Sequence, residues 1–313
     1  MRWKPLRLIP DDTKFPFMRF SRFGFFVSGI LCAISIGLFT FKGLNYGIDF
    51  KGGSVISIRT QEAAHLDSLR ETLNNLNLGS VELQQFGSPN DVLIRLPAQG
   101  GGDANEQAAQ KKVVDALGPT VEVRSKETVG AKVSEELTQQ ATGAVMLSIF
   151  FVLFYLWARF EWQFALGAVI SLLHDVTLSL GLFSLIGLEF NLSIIAAILT
   201  IVGYSLNDTV VVFDRIREYL RRYKSMGLAD LIDFSINSVL PRTILTSLAT
   251  LMALLALYFF GGEVIHGFSF AMIWGVVVGT YSSIFIASPV LILLGTVREN
   301  VKQGAKAAVA ARP

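Results

Sequence analysis

Cysteine occurs once in the 313 residues, at Cys32, and histidine three times, at His65, His174 and His266. A lone thiol rules out a disulfide framework and leaves the redox compartment unread. No metal site is expected. The formal net charge is only +2, and the basic residues lie beside apolar runs rather than in one patch, so nothing points to nucleic acid. No half of the chain repeats the other. No small-residue cleavage site leading into a polar mature region follows the first apolar run, which is therefore expected to stay as an anchor.

Apolar residues, in contrast, are abundant. They make up 52% of the chain and gather in runs near ~20 residues, the length that crosses a bilayer. The chain reads as a multi-pass membrane protein. Residues 1–22 form a basic leader and 23–41 the first span. Residues 42–138 are polar, with charges of both signs, and 139–296 return to the membrane as five more spans. Residues 297–313 are a basic, Ala/Gly-rich tail expected to be disordered. The Lys/Arg of the leader, the Arg159 turn, a long loop from Asp214 to Arg242 and the tail contrast with outer turns at Glu189 and Glu263 that carry none. The positive-inside bias then puts both termini in the cytoplasm and residues 42–138 outside it.

That polar region has its own pattern. Ser54–Thr60 alternates as a strand, Glu62–Leu76 has helical spacing, Val81–Phe86 and Val92–Leu96 are strands about a turn at Ser88–Asp91. A Gly100–Gly102 loop follows, with Asp103 as a helix cap, Ala104–Leu117 as a second helix and Thr120–Ser125 as a last strand. Strand-helix-strand-strand-helix-strand is the split βαβ order, so a ferredoxin-like domain is predicted. It holds no catalytic cluster. His65, its one imidazole, reads as a surface residue.

The anomalies lie in the spans. Asp208 sits about six residues, or ~9 Å of helix, inside the charged end at Asp214. A carboxyl there costs roughly 2.5–3.5 kcal/mol on insertion scales, which usually marks an ion pathway. Ile201, Tyr204, Ser205, Asp208, Val211 and Val212 share its helical face, with Asn207 adjacent. The plainer alternative is a neutral acid hydrogen-bonded to a neighbour. Arg242 opens the fifth span above Thr246 and Thr250, with Thr243 and Ser247 close by. It is either a snorkelling anchor or the counter-charge of Asp208. An amphipathic stretch at Leu231–Leu240, continuing the helix downwards, would place it at matching depth. A carboxylate held by a guanidinium stays ionised and one released in low dielectric takes up a proton. His174-Asp175, mid-way along the third span, is either a proton relay or a self-satisfied pair. Glu263 and His266 read more simply as an exposed turn than as a proton entry.

Several motifs in order resemble the SecD/SecF family of the RND superfamily. Gly47-Ile48-Asp49-Phe50-Lys51-Gly52-Gly53 carries its Asp-Phe-x-Gly-Gly signature, in Asp49, Phe50, Gly52 and Gly53. Gly203–Thr209, Val212–Glu218, Leu173-His174-Asp175 and Leu240–Thr243 are similar to the SecF versions of its span motifs. The resemblance runs from about Arg19 to Arg298. It implies an RND-like half: six transmembrane helices with an inserted α+β ferredoxin-like extracytoplasmic domain, in a bacterial inner membrane. It implies a SecD partner, the SecYEG channel, YajC-type and YidC-type accessory proteins, and an unfolded secretory polypeptide as substrate. No cofactor is implied beyond a proton gradient, and sodium is left open. The family's coupling residues fall on Asp208 and Arg242, the other acid coming from SecD. Two rivals are set against this. A small-molecule efflux component would normally carry both halves and large external domains in one chain. An intramembrane aspartyl protease would need Asp175 and Asp208 to face each other.

Overall fold

Apolar runs of this length can bury their backbone polar groups in hydrocarbon only as helices, and the computed structural model has, among the described residues, six helices long and apolar enough to cross a membrane. It describes residues 10, 13–85, 88–100, 103–119 and 121–295. The leader's first nine residues, Phe86, Gly101, Gly102, Thr120 and the basic tail lie outside the described residues. Two compact units divide the chain. One takes in residues up to Leu44, Met146–Leu188 and those from Ser193; the other is Asn45–Val145 with Glu189–Leu192. The polar unit thus differs from the expected 42–138 by including a second, distant piece of chain.

In the polar unit the elements are β1 (Asn45–Tyr46), α2 (Ile48–Lys51), β2 (Gly53–Thr60), α3 (Leu66–Asn74), β3 (Glu82–Gln85), β4 (Asp91–Leu96), α4 (Asp103–Leu117) and β5 (Val121–Val129). The main sheet has the order β3-β4-β2-β5, every neighbour antiparallel, which is the connectivity of a split βαβ arrangement. Ile56, Ile58, Ile94 and Leu96 from the strands meet Leu73 of α3 and Val113 of α4 in a buried core. Three expectations shift. The helix foreseen over Glu62–Leu76 forms only at Leu66–Asn74, because Thr60 Oγ1 bonds the Glu62 carbonyl and the Ala64 N–H the Pro89 carbonyl, at 2.5 and 3.0 Å. Asp103 is the first residue of α4, not its cap. The last strand runs on to Val129, paired with Gly53 across a register shift at Ser57/Ile58.

The remaining elements are α1 (Phe17–Phe41), α5 (Ala131–Arg159), α6 (Trp162–Ile186), β6 (Glu189–Phe190), α7 (Leu192–Arg222), α8 (Leu228–Phe260) and α9 (Glu263–Ser282). A π turn at Ser283–Ala287 and α10 (Ser288–Leu294) complete the sixth span. Helix α1 begins at Phe17, inside the expected leader, because α8 holds its start. Asp233 Oδ1 accepts the Met18 N–H at 2.8 Å, and Asn237 bonds the Phe15 N–H and carbonyl at 3.0 and 2.9 Å. The loop expected from Asp214 to Arg242 is instead nearly all helix, α7 ending at Arg222 and α8 starting at Leu228. Ile216, Leu220, Leu231, Ile232 and Ile236 bury an apolar stripe there, and Arg215 pairs with Glu218 at 2.7 Å on the outside. The stretch Leu231–Leu240 does extend the fifth span as a helix, as its periodicity predicted. In the sixth span Pro289 withholds a backbone N–H; the π turn and the Ser288 hydroxyl, bonded to the Ser283 carbonyl at 2.9 Å, accommodate it.

One buried charge of the sheet is paired across its strands. Asp91 of β4, 3% exposed, accepts two hydrogen bonds from Arg59 of β2 at 2.6 and 2.7 Å, and these hold its carboxyl below the usual carboxylate range. A depressed carboxylate lends stability above its unfolded value near pH 4 and loses it as pH falls through the folded one. With Arg59 partly in water, Asp91→Asn is expected to cost about 1 kcal/mol at pH 7. Amide exchange along β2 and β4, compared in mutant and parent at equal pH, should show that gap closing as pH falls below the usual carboxylate range. A gap that persists there would contradict this account.

Candidate functional site

Helical spacing puts Ser205, Asp208 and Thr209 on one buried stripe of α7. Opposite them, α9 carries Gly275 and Gly279 one turn apart. A Cβ on Gly275 would overlap the Ile201 side chain, and one on Gly279 would stand 3.0 Å from Ser205 Cβ. The two backbones therefore approach as small-xxx-small pairs do. This approach brings the hydroxyl of Ser283 to α7, where Thr209 meets it at 2.9 Å, and sets Thr280 and Ser282 close by.

Asp208 is 3% exposed. The Thr280 hydroxyl and the Arg242 guanidinium are the polar groups near enough to act on its carboxyl. The two charges form no ion pair, however, and Arg242 is exposed. Among the described residues, Asp208 Oδ2 is buried without a hydrogen-bond partner. Thr280 in turn bonds Ser247 of α8 at 2.9 Å, and Tyr204 donates to Ser247 at 3.2 Å. A row of hydroxyls from α7, α8 and α9 thus ends at the carboxyl. Asn207 points away and is exposed, so it is not part of this group.

Asp175 of α6 is fully buried and fully engaged. Its Oδ2 accepts from Ser205 at 2.5 Å and Ser282 at 2.8 Å, and its Oδ1 lies 2.9 Å from His174 Nδ1. His174 and Asp175 thus do pair, but inside a larger cluster that clamps α6 to α7 and α9. His174 Nε2 is buried without a partner among the described residues. The ring lies 6.1 Å from Tyr281, whose hydroxyl donates to the Gly24 carbonyl at 3.0 Å. No hydrogen bond joins the carboxyls of Asp175 and Asp208, and each has its own set of hydroxyl partners. A shared-proton protease dyad is not what this arrangement builds. Among the described residues there is no group of three or more acids, histidines or cysteines suited to a metal. Sequence reading missed Thr280, Ser282 and Ser283; the visible signal was the run Thr280-Tyr281-Ser282-Ser283 inside an apolar span.

The signature loop lies elsewhere, in the polar unit, and each residue has a geometric job. Gly47 lets the second piece of that unit pass close by: a Cβ would stand 2.7 Å from Glu189 Oε1. Asp49 Oδ2 accepts the Leu192 N–H at 2.9 Å. The Phe50 ring packs with Tyr46 and Phe190 at 6.1 and 5.9 Å. Gly52 and Gly53 have φ of +68° and +108°, and a Cβ on Gly53 would also overlap the Leu96 carbonyl. Strands β1 and β6 pair in parallel, Asn45 with Glu189 and Tyr46 with Phe190. Arg95 ties this corner by reaching Asn45 at 2.8 Å, Glu82 at 3.1 Å and Glu189 at 3.0 Å. Burial pushes the Glu189 carboxyl above its usual range despite that guanidinium.

Family models match two parts of the chain: the C-terminal region of protein export membrane proteins SecD/SecF over residues 109–297, and the SecD/SecF GG motif over residues 37–64. The protein translocase subunit SecF of Rickettsia bellii is 44% identical over 296 residues, covering 93% of this chain and 97% of the relative. The protein translocase subunit SecDF of Brucella abortus is 45% identical over 291 residues, which are 93% of this chain and 38% of that longer one. The crystal structure of SecDF from Thermus thermophilus, described as a translocon-associated membrane protein, superposes with a TM-score of 0.83 at 36% identity. That match covers 93% of this chain and 40% of the other. By sequence over nearly its whole length and by structure, the chain belongs to the SecD/SecF family of protein export membrane proteins, on the SecF side.

Proposed function

We propose that this chain is the SecF-type half of a protein-export machine, working beside a SecD-type half in a bacterial inner membrane with both termini cytoplasmic. The machine uses an ion gradient to promote movement of unfolded secretory chains through the SecYEG channel; accessory proteins of the YajC and YidC types fit the same assembly. Fused SecDF relatives support the SecD partnership. The resemblance noted from the motifs supports the channel, the gradient and the orientation. The role is transport and needs no cofactor beyond the gradient.

The observation that carries this reading is the setting of Asp208. It is a buried carboxyl with one oxygen unpartnered, at the end of a hydroxyl row, near a guanidinium that is not bonded to it. A structural acid would be satisfied, as Asp175 is. A working one must exchange its partner. In one position the carboxylate pairs with Arg242; in the other the arginine faces away and the carboxyl holds a proton, with Thr280 as its neighbour. The lack of an ion pair between Asp208 and exposed Arg242 supports a cycle that includes the second position. The hydroxyls of Thr280, Ser247 and Tyr204 offer a path along which a proton can pass, since each both donates and accepts. His174 and Asp175 act as a clamp and a secondary relay, and Asn207 is free to meet the partner half. Sodium coupling would use the same carboxyl with these hydroxyl oxygens as ligands. The polar unit moves as the ion passes.

Asp208→Asn and Arg242→Met are each expected to abolish the gradient-dependent enhancement of secretion, in sealed vesicles containing both halves, while the chain still inserts and assembles. Enhancement at the parental level in both would remove the proposed exchange. Imposing pH and sodium gradients separately in the same vesicles identifies the ion. The clamp makes a different forecast. Gly275→Val forces α9 off Ile201, and overpacking of this kind costs about 1–3 kcal/mol. The midpoint of thermal unfolding in detergent should drop, and gradient-dependent secretion should fall with it. Ser282→Ala, which removes one donor to Asp175, should lower stability less and leave insertion unchanged.

A further inference from the structure

Beside the hydroxyl row, the unit that holds the spans has a groove of about 490 Å³. Leu240 and Ile244 lie one turn apart on α8, and Thr280 and Ile284 about one turn apart on the sixth span, so each helix presents a stripe to it. Its mouth is walled by the leader at Thr13, Phe15 and Phe17. Residues 13–16 are not helical, and irregular backbone is stable against protein or water but not against hydrocarbon. The mouth therefore opens into water. Asn237 fixes that wall to α8 by bonding the Phe15 N–H and carbonyl, at 3.0 and 2.9 Å.

The other end of the groove meets the site. Helix α8 starts at the leader end, where its Asp233 caps α1, and the sixth span, opposite in direction, finishes there. Ile244 and Thr280 are then the deeper members of their stripes. Thr280 belongs both to this lining and to the row: its hydroxyl bonds Ser247 at 2.9 Å and is near enough to act on the Asp208 carboxyl.

We propose that this groove is the cytoplasmic port for the coupled ion, and that the ion is a proton: water entering past the leader reaches Thr280, which relays protons between that water and Asp208. The proposal rests on the reading of Asp208 as the coupling acid. A hydroxyl suits the relay because it donates and accepts at once. Among the lining residues the side-chain oxygens are those of Thr13 and Thr280, too few to replace the hydration shell of sodium, whereas a proton needs only water. The apolar remainder holds water loosely, so passage depends on whether the groove is wet.

Thiol labelling of the full-length chain, in inside-out vesicles containing both halves, tests the port first. All variants carry Cys32→Ser, and the probe is the membrane-impermeant reagent 2-sulfonatoethyl methanethiosulfonate, its adduct read by mass on this chain. Leu245, next to Ile244 in sequence, is exposed on the outside of the bundle and serves as the control at equal depth. Ile244→Cys and Ile284→Cys should react about tenfold faster than Leu245→Cys, because a thiol must meet water to ionise. Equal rates would overturn the port. The adduct at Ile244→Cys fills the groove and should cut secretion driven by a pH gradient severalfold, and reducing it off should restore the rate. Full labelling without loss, or enhancement by a sodium gradient alone, would overturn the groove as a proton route. Thr280→Val keeps the shape and removes the hydroxyl; it should lose most of the enhancement with Ile244→Cys labelling unchanged, while Thr280→Ser should keep it. Parental secretion by Thr280→Val would overturn the relay. If Asp208→Asn secreted normally while the labelling contrast held, the coupling acid would fall and the wet groove would stand. Equal labelling with Asp208→Asn inactive would do the reverse.

Discussion

A carboxyl group in hydrocarbon must find hydrogen bonds inside the protein or remain a liability of several kcal/mol. The packing of the buried spans answers that constraint. Asp175 collects its donors from three helices: its own α6 through His174, α7 through Ser205 and α9 through Ser282. Such a cluster forms only if the helix backbones come close enough for serine to reach, and short side chains reach only across a glycine contact. Gly275 and Gly279 provide that contact between α7 and α9. The apolar effect contributes little between helices already in lipid, so dispersion at these close contacts and the hydrogen bonds they permit decide which faces meet. Asp208 lies one turn beyond Ser205 on the framework so fixed. Its incomplete satisfaction is therefore a property of a well-determined place and not of a loose one.

How much of this could be read from residues alone divides along physical lines. The spans were legible because hydrocarbon thickness fixes their length, and the order of strands and helices in the polar unit was legible because burial alternates there with period two or 3.6. Asp208, Asp175 and Arg242 announced themselves by cost. What escaped was set by partners far away in sequence. Phe17–Arg22 became helical because Asp233 and Asn237 cap it. The stretch Asp214–Arg242 looked like a loop because its charges are dense, while Ile216, Leu220, Leu231 and Ile236 were supplying a buried stripe beneath them. Serine and threonine in a span can bond to their own helix or to a neighbour, and only packing decides which. Thr250 bonds back to Thr246, whereas Ser282 crosses to Asp175. The separation of Arg242 from Asp208 was equally invisible, because helical periodicity fixes depth and face but not the rotamer of a long side chain.

The two tertiary caps show a shared solution. Helix α1 follows Pro16, which offers its first turn no side-chain cap. In α1 an aspartate from α8 takes the Met18 N–H, and in α7 an aspartate from the signature loop takes that of Leu192. A local cap would only end the helix. A distant one also ties the helix to whatever carries the carboxylate, and that tie is lost if the two separate.

Helix α7 is held differently along its length. Its middle is keyed by Ser205 to Asp175 and by Ile201 to Gly275, and its last turns carry exposed Arg221 and Arg222 and half-buried Arg215 and Arg217 beside buried Ile216 and Leu220. A rod of 31 residues bends little when pushed axially, because its hydrogen bonds lie along the axis. Rotation is opposed less, since interhelical hydroxyl bonds can be exchanged one for another at small cost.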